Sequence, residues 1–328
     1  MGSGGLDQAR RPSAGRVLAV ASVLPALVLA GWLLAGLPLL LAGVYRPLPA
    51  LALGLPVIAL LCLAALRLPV GAAECPGAAE GSGVAEGPGA AQGRLKAGWW
   101  QVAGVGAVAL ASGVFNAVLH TEQLVVRRDP ATYAQYAIWL ARHGSLPIPS
   151  QVAAFGGPDQ ALVFDSVGFY PVNGAVVPQF MPGPPLLFAA GQWAGGLLLT
   201  PAVLGALAVL TVAGVAARLA GARWAVPAAL AFAVCQPVLY TSRTTLSEIP
   251  SLILLFGGMA LLHDTLSRAV AVPGAPARRW AEGAVAGLVF GLAVLVRIDG
   301  LRDVLPVLAF AGLLVAMRRS GRPEGAVG

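Results

Sequence analysis

Apolar residues in this chain run in uncharged stretches of about 20 residues or more, and the charges collect in the intervals between them. Soluble cores are built from shorter apolar segments, so the pattern predicts membrane-spanning helices. Eight spans are expected, at residues 17–43, 48–66, 97–119, 201–217, 224–240, 249–263, 281–296 and 301–317. Several are shorter than the ~20 residues an upright helix needs, which requires flanking polar residues to be drawn in or the bilayer to thin locally. Composition agrees: 58% of residues are hydrophobic, 11% are charged, and the mean hydropathy is +0.80. A soluble domain of 328 residues does not carry that balance. The first run follows Arg10, Arg11 and Arg16 as a signal peptide would, but its length fits a permanent anchor better than a cleaved segment.

The formal charge of +7 does not point to nucleic acid, because the basic residues sit in twos and threes at the ends of apolar runs. They read as topology signals. With eight spans and an inside N-terminus, fourteen basic residues fall inside and seven outside. A ninth span at residues 185–199 would reverse that bias over the C-terminal half, so this stretch is expected to be interfacial or re-entrant. The expected fold is therefore an all-α polytopic membrane protein of the plasma (inner) membrane with both termini cytoplasmic. Residues 1–70 form an N-terminal two-helix extension, residues 71–96 a flexible Gly/Ala-rich cytoplasmic linker, and residues 97–328 the larger membrane module. Cys62 and Cys235 lie within apolar spans and Cys75 in the linker, a distribution that indicates neither a disulfide framework nor a metal site.

Residues 120–199 form a long outer loop, and loops of that length are usually functional. A helix is predicted from Asp129 to Gly144, with Asp129 as N-cap, Pro130 at the first helical position and Gly144 at the stop. Tyr133, Tyr136, Ala137 and Leu140 share one face of it, as in a helix lying on the bilayer surface. Asn173-Gly174 between two β-prone stretches predicts a hairpin turn.

Outer-face charge is scarce, which shortens the search for chemistry. Asp129 is either a helix cap or a general base, and Arg127 and Arg128 beside it are either interfacial anchors or phosphate ligands. Arg243 and Glu248 stand at the outer ends of two successive spans, where an arginine can snorkel or a charged pair can form a site. Arg297 with Asp299 reads as a helix-end ion pair or a site, and His120 as an interfacial residue, ligand or base. Phosphate-binding glycine loops, HExxH and GxSxG are absent from the sequence.

From residue 97 to 317 the chain resembles the GT-C fold glycosyltransferases, which take sugar from polyprenyl-phosphate donors, including the protein O-mannosyltransferases and the RgtA/B/C/D-like group. The likeness lies in Arg127-Arg-Asp-Pro-Ala-Thr-Tyr133, Pro178-Gln-Phe-Met-Pro-Gly-Pro-Pro-Leu-Leu187, Tyr240-Thr-Ser-Arg-Thr-Thr-Leu-Ser-Glu248 and Gly291-Leu-Ala-Val-Leu-Val-Arg297, in that order. The resemblance implies Asp129 as catalytic base, Glu248 as a second catalytic acid that shapes the site or, as in some members, binds a divalent metal, and Arg127, Arg128 and Arg243 as ligands of the donor phosphate. Tyr133, His120 and Arg297 are expected at the substrate pocket. Its implied partners are a polyprenyl-phosphate sugar, membrane lipid and a glycan, lipid or protein acceptor. Inversion at the anomeric carbon is expected, because a single base activating an acceptor leaves no role for a second nucleophilic carboxylate. Without a paired acidic motif at Asp129, metal dependence is not implied. The early stop after Arg318-Arg319 departs from the family and reads as a fragment, a shortened paralogue or half of a complex. A transporter or flippase and an inactive assembly subunit are the rival readings.

Overall fold

The computed structural model describes residues 12–66, 95–122, 129–157, 159, 167–271 and 276–320. The linker expected at 71–96 and the arginines at 127 and 128 lie essentially outside this set, Leu95 and Lys96 excepted. The chain runs α1 (Ala14–Leu41), α2 (Pro47–Leu66), α3 (Trp99–Val118), α4 (Asp129–His143), β1 (Ile148–Pro149), β2 (Phe169–Val172), β3 (Ala175–Pro178), α5 (Gly183–Trp193), α6 (Thr200–Ala220), α7 (Ala225–Val234), α8 (Gln236–Thr241), α9 (Glu248–Ala271), α10 (Pro276–Val296) and α11 (Gly300–Ser320).

Among the described residues, five helical stretches are long and apolar enough to cross a membrane: Ala14–Leu41, Pro47–Ala65, Trp99–Val118, Leu197–Ala220 and Glu248–Ser267. They coincide with five of the eight expected spans. The span expected at 224–240 is broken, because Pro237 has no N–H to continue the ladder and Cys235 turns to an extended conformation between α7 and α8. Ala281–Val296 is a shorter apolar helix, and the stretch expected at 301–317 lies within α11. Leu48, Leu60 and Leu110 point outward with at least 66% of their surface open. Such an exterior suits hydrocarbon, not water.

Inside, α1 is central. Its buried leucines and alanines join residues of α4, α5, α9 and α10 in one core, so the N-terminal pair packs into the same body as the rest. Gly257 of α9 crosses α1 so closely that a Cβ there would lie 2.1 Å from the Ala26 Cβ. Small residues at helix crossings allow this approach.

The segment between α3 and α6 is partly β, which the all-α expectation lacks. β3 pairs antiparallel with β2 and with β1, giving the order β1-β3-β2. The predicted turn is present: Asn173 (φ 49°) and Gly174 (φ 77°) adopt the left-handed pair of a tight hairpin. α4 ends where expected, with Gly144 at φ 70°. Its Tyr133, Tyr136, Ala137 and Leu140 face is buried against protein, chiefly α5, and so does not lie open to a bilayer surface. The corner between α1 and α2 clasps this segment: the Tyr45 hydroxyl donates to the Leu186 carbonyl at 2.6 Å, and Trp32 Nε1 donates to the Tyr45 oxygen at 3.0 Å.

At the C-terminal end of α6, Arg218 is more than a topology signal. Its side chain is 1% exposed, and its Nε and Nη2 each donate to one Asp264 carboxylate oxygen at 2.8 Å. Nη1 donates to Ser22 Oγ at 2.9 Å and Nη2 also to the Ala19 carbonyl at 3.2 Å, so α1, α6 and α9 are fastened together. Arg218→Ala would remove the guanidinium that pairs with Asp264 and so untie α1, α6 and α9, and should cost roughly 3 kcal/mol, the low end for breaking such a pair because Asp264 keeps some solvent contact. A lowered midpoint of thermal unfolding in detergent, only partly recovered by Arg218→Lys, checks this.

Candidate functional site

The turn at residues 242–247, between α8 and α9, is rich in hydroxyls yet buried: Ser242, Thr244, Thr245 and Ser247 are each at most 3% exposed. Its polar groups are used to join elements distant in sequence. Thr245 Oγ1 donates to the Pro130 carbonyl at 2.6 Å, which fixes the start of α4. The Arg243 carbonyl accepts from Thr121 N (3.0 Å) and Oγ1 (3.1 Å), fixing the chain just after α3. The Arg243 side chain turns to α3 as well, donating through Nε to Asn116 Oδ1 at 2.9 Å and lying 4.8 Å above the Phe115 ring.

This stitching sets Asp129 at the head of α4 beside Glu248 at the head of α9. α10 arrives from the other side, and at Gly183 the start of α5 presses on it so tightly that a Cβ would lie 2.6 Å from the Leu295 carbonyl oxygen. The result is a cavity of ≈ 170 Å³ lined by Asp129, Tyr133, Gln179, Phe180, Met181, Leu246, Ser247, Glu248, Val296, Arg297, Ile298 and Asp299. Arg297 bridges two acids, with Nη1 donating to Glu248 Oε1 and Nη2 to Asp299 Oδ2 at 3.1 Å. Tyr133 is stacked on Phe180 with centroids 4.6 Å apart and planes 22° from parallel.

Asp129 is solvent-exposed, and no hydrogen bond links its carboxylate to another described residue. The helix begins at Asp129 itself, and its side chain lines the cavity. Glu248 Oε2 is likewise buried without a hydrogen-bond partner among the described residues. Burial pushes the Tyr133 hydroxyl up to about 12, opposed by its hydrogen bond with Ser247 and reinforced by the negative charge of Glu248, so it stays protonated at neutral pH. Desolvation works to lower the Arg297 pKa, but its hydrogen bonds with Asp299 and Glu248 and their charges outweigh it. Arg297 is therefore a permanent cation.

Of the residues singled out from the sequence, Asp129, Tyr133, Glu248 and Arg297 meet at this cavity. Arg243 and His120 do not line it. Arg243 is committed to Asn116, and the His120 ring pairs through Nδ1 with the Ala117 carbonyl at 2.7 Å. Arg127 and Arg128 fall outside the described residues. Sequence reasoning missed Gln179 and Phe180 as site residues, although the Pro-Gly-Pro-Pro run after them marked the segment as unusual. Among the described residues no group of His, Cys, Asp and Glu side chains is arranged to hold a metal ion. No family model matches the chain, and neither does any curated protein or solved structure.

If the Thr245 bond to Pro130 holds Asp129 at the cavity, Thr245→Val should cost about 1 kcal/mol of stability. It should also speed hydrogen exchange in the first turn of α4, and Thr245→Ser should restore both. Exchange mass spectrometry on the three proteins checks this.

Proposed function

We propose that the chain is a membrane glycosyltransferase that moves a sugar from a polyprenyl-phosphate donor to an acceptor hydroxyl on the extracytoplasmic face. One observation carries the reading. An open carboxylate, a second acid and a fixed guanidinium from three distant parts of the chain line one cavity, next to helices long enough to span a bilayer. The eight-span arrangement with both termini cytoplasmic, in the plasma (inner) membrane, belongs to this proposal. So does a glycan, lipid or protein as acceptor.

In the mechanism, Asp129 takes the proton of the acceptor hydroxyl as its oxygen attacks the anomeric carbon. The bond from that carbon to the phosphate oxygen breaks, and polyprenyl phosphate leaves with the electron pair. A single base and direct displacement give inversion. Arg243 is occupied on α3, so the phosphate is assigned to Arg297, the described cation of the cavity, whose planar fork suits a phosphate's oxygens. Arg127 and Arg128, next to Asp129 in sequence, are its proposed helpers. Glu248 holds Arg297 in place.

Asp129→Asn should reduce transfer from labelled polyprenyl-phosphate sugars by about 10²-fold or more, at unchanged expression and membrane insertion. Full activity in that variant would remove Asp129 from the mechanism. No transfer from any donor by the wild-type chain would favour the transport or assembly-subunit reading.

A further inference from the structure

The cavity has two unlike walls. One is charged, with the exposed Asp129 carboxylate and the Arg297 guanidinium lining it, while Glu248 is engaged with Arg297. The other is aromatic: Phe180, half-buried, rests on Tyr133, which is 4% exposed and therefore covers the inner face of the pair. Tyr133 is held in place by its burial and by the stack on Phe180. Phe180 is set at the end of the hairpin, two residues beyond β3, and Gln179 beside it adds an exposed amide at the rim.

A ligand that fits both walls has a C–H face and a polar edge. Flat aromatic bases satisfy the aromatic wall but bring few hydroxyls to the charged one, and a simple alkyl chain leaves the charged wall unmet. A sugar ring satisfies both. Size narrows it further: ≈ 170 Å³ is below the roughly 300 Å³ at which pockets for drug-sized molecules begin, leaving space for one ring.

We propose that Phe180, braced by Tyr133, is the platform on which a single sugar ring of the substrate seats its C–H face, so that Phe180 selects monosaccharide over longer glycans. That the ligand is a sugar rests on the glycosyl-transfer reading; the platform rests on the rings and the cavity. The specificity follows from shape. Sugars whose one face carries only C–H bonds are favoured, and those with an axial hydroxyl on that face are disfavoured.

Two measurements on the full chain in lipid nanodiscs test this. In saturation-transfer NMR with methyl glycosides as probes, the C–H protons of one ring face should receive the strongest signal. That signal should be lost in Phe180→Ala and kept in Phe180→Trp. In transfer assays Phe180→Ala should raise KM about tenfold with kcat little changed, the split expected when a ground-state contact worth as much as a good aromatic pair is removed. A donor carrying a disaccharide should be transferred far more slowly than its monosaccharide counterpart. Phe180→Leu, which keeps the apolar packing, guards against misfolding and should behave as Phe180→Ala does. Transfer that is indifferent to Phe180, or equal for both donors, overturns the platform while leaving the transferase standing. Ring-face signals without any transfer keep the platform and defeat the transferase.

Discussion

Hydrocarbon offers no partners to a polar side chain, so a helical bundle with an apolar exterior must satisfy its hydroxyls and charges internally or group them at its ends. The turn at 242–247 meets that constraint by using several of its polar groups as fasteners. Its bonds to Pro130, Thr121 and Asn116 bring α3, α4 and α9 together, and they are the reason an acid at position 129 and an acid at position 248 face the same space. Without this turn the cavity has no shared wall. Ser242 Oγ, buried and without a hydrogen-bond partner among the described residues, lies against Gly205 of α6, where even a Cβ would come within 2.5 Å. Tight packing there accompanies an unmet polar group, a tension tolerated because the rest of the turn is so well tied.

Legibility from sequence followed the physics of each element. Long apolar runs announce their helices because length alone decides them, as in α1, α2, α3, α6 and α9. The Asn173-Gly174 turn and the Gly144 stop were readable because left-handed backbone leaves few residue choices. The break at Cys235 was harder, since hydropathy runs on through it and only Pro237 disturbs the pattern. The face of α4 carried the right periodicity for two different partners, a lipid surface or α5, and periodicity does not tell them apart.

The candidate site was readable in its acids and obscure in its arginines. An arginine in a sparse sequence looks equally available wherever it falls, yet Arg243 is taken up by Asn116 and Phe115 and Arg218 by Asp264, while Arg297 reaches the cavity. The difference is set by what stands opposite each guanidinium in space. Phe180 was obscure for the same reason: nothing local distinguishes a platform from a core ring until Tyr133, from α4, is found stacked upon it.

α9 carries a charged tie toward each end, at Glu248 and at Asp264. With 1.5 Å of rise per residue these lie roughly 24 Å apart, close to the thickness of a hydrocarbon core. The two ties are not equivalent. At Asp264 the guanidinium of Arg218 is 1% exposed and holds three helices, so its loss unties them and its role is stability. At Glu248 the partners are 34% and 38% exposed, a setting in which an ion pair contributes about 0–1 kcal/mol. Stability therefore gives little reason for Arg297 to be held by two acids at once. Orientation does: Glu248 on Nη1 and Asp299 on Nη2 fix the plane of the fork where it meets the cavity, and a fork fixed in advance loses less entropy when an anion binds. One end of the helix thus secures the bundle, and the other presents a preset cation beside an open carboxylate.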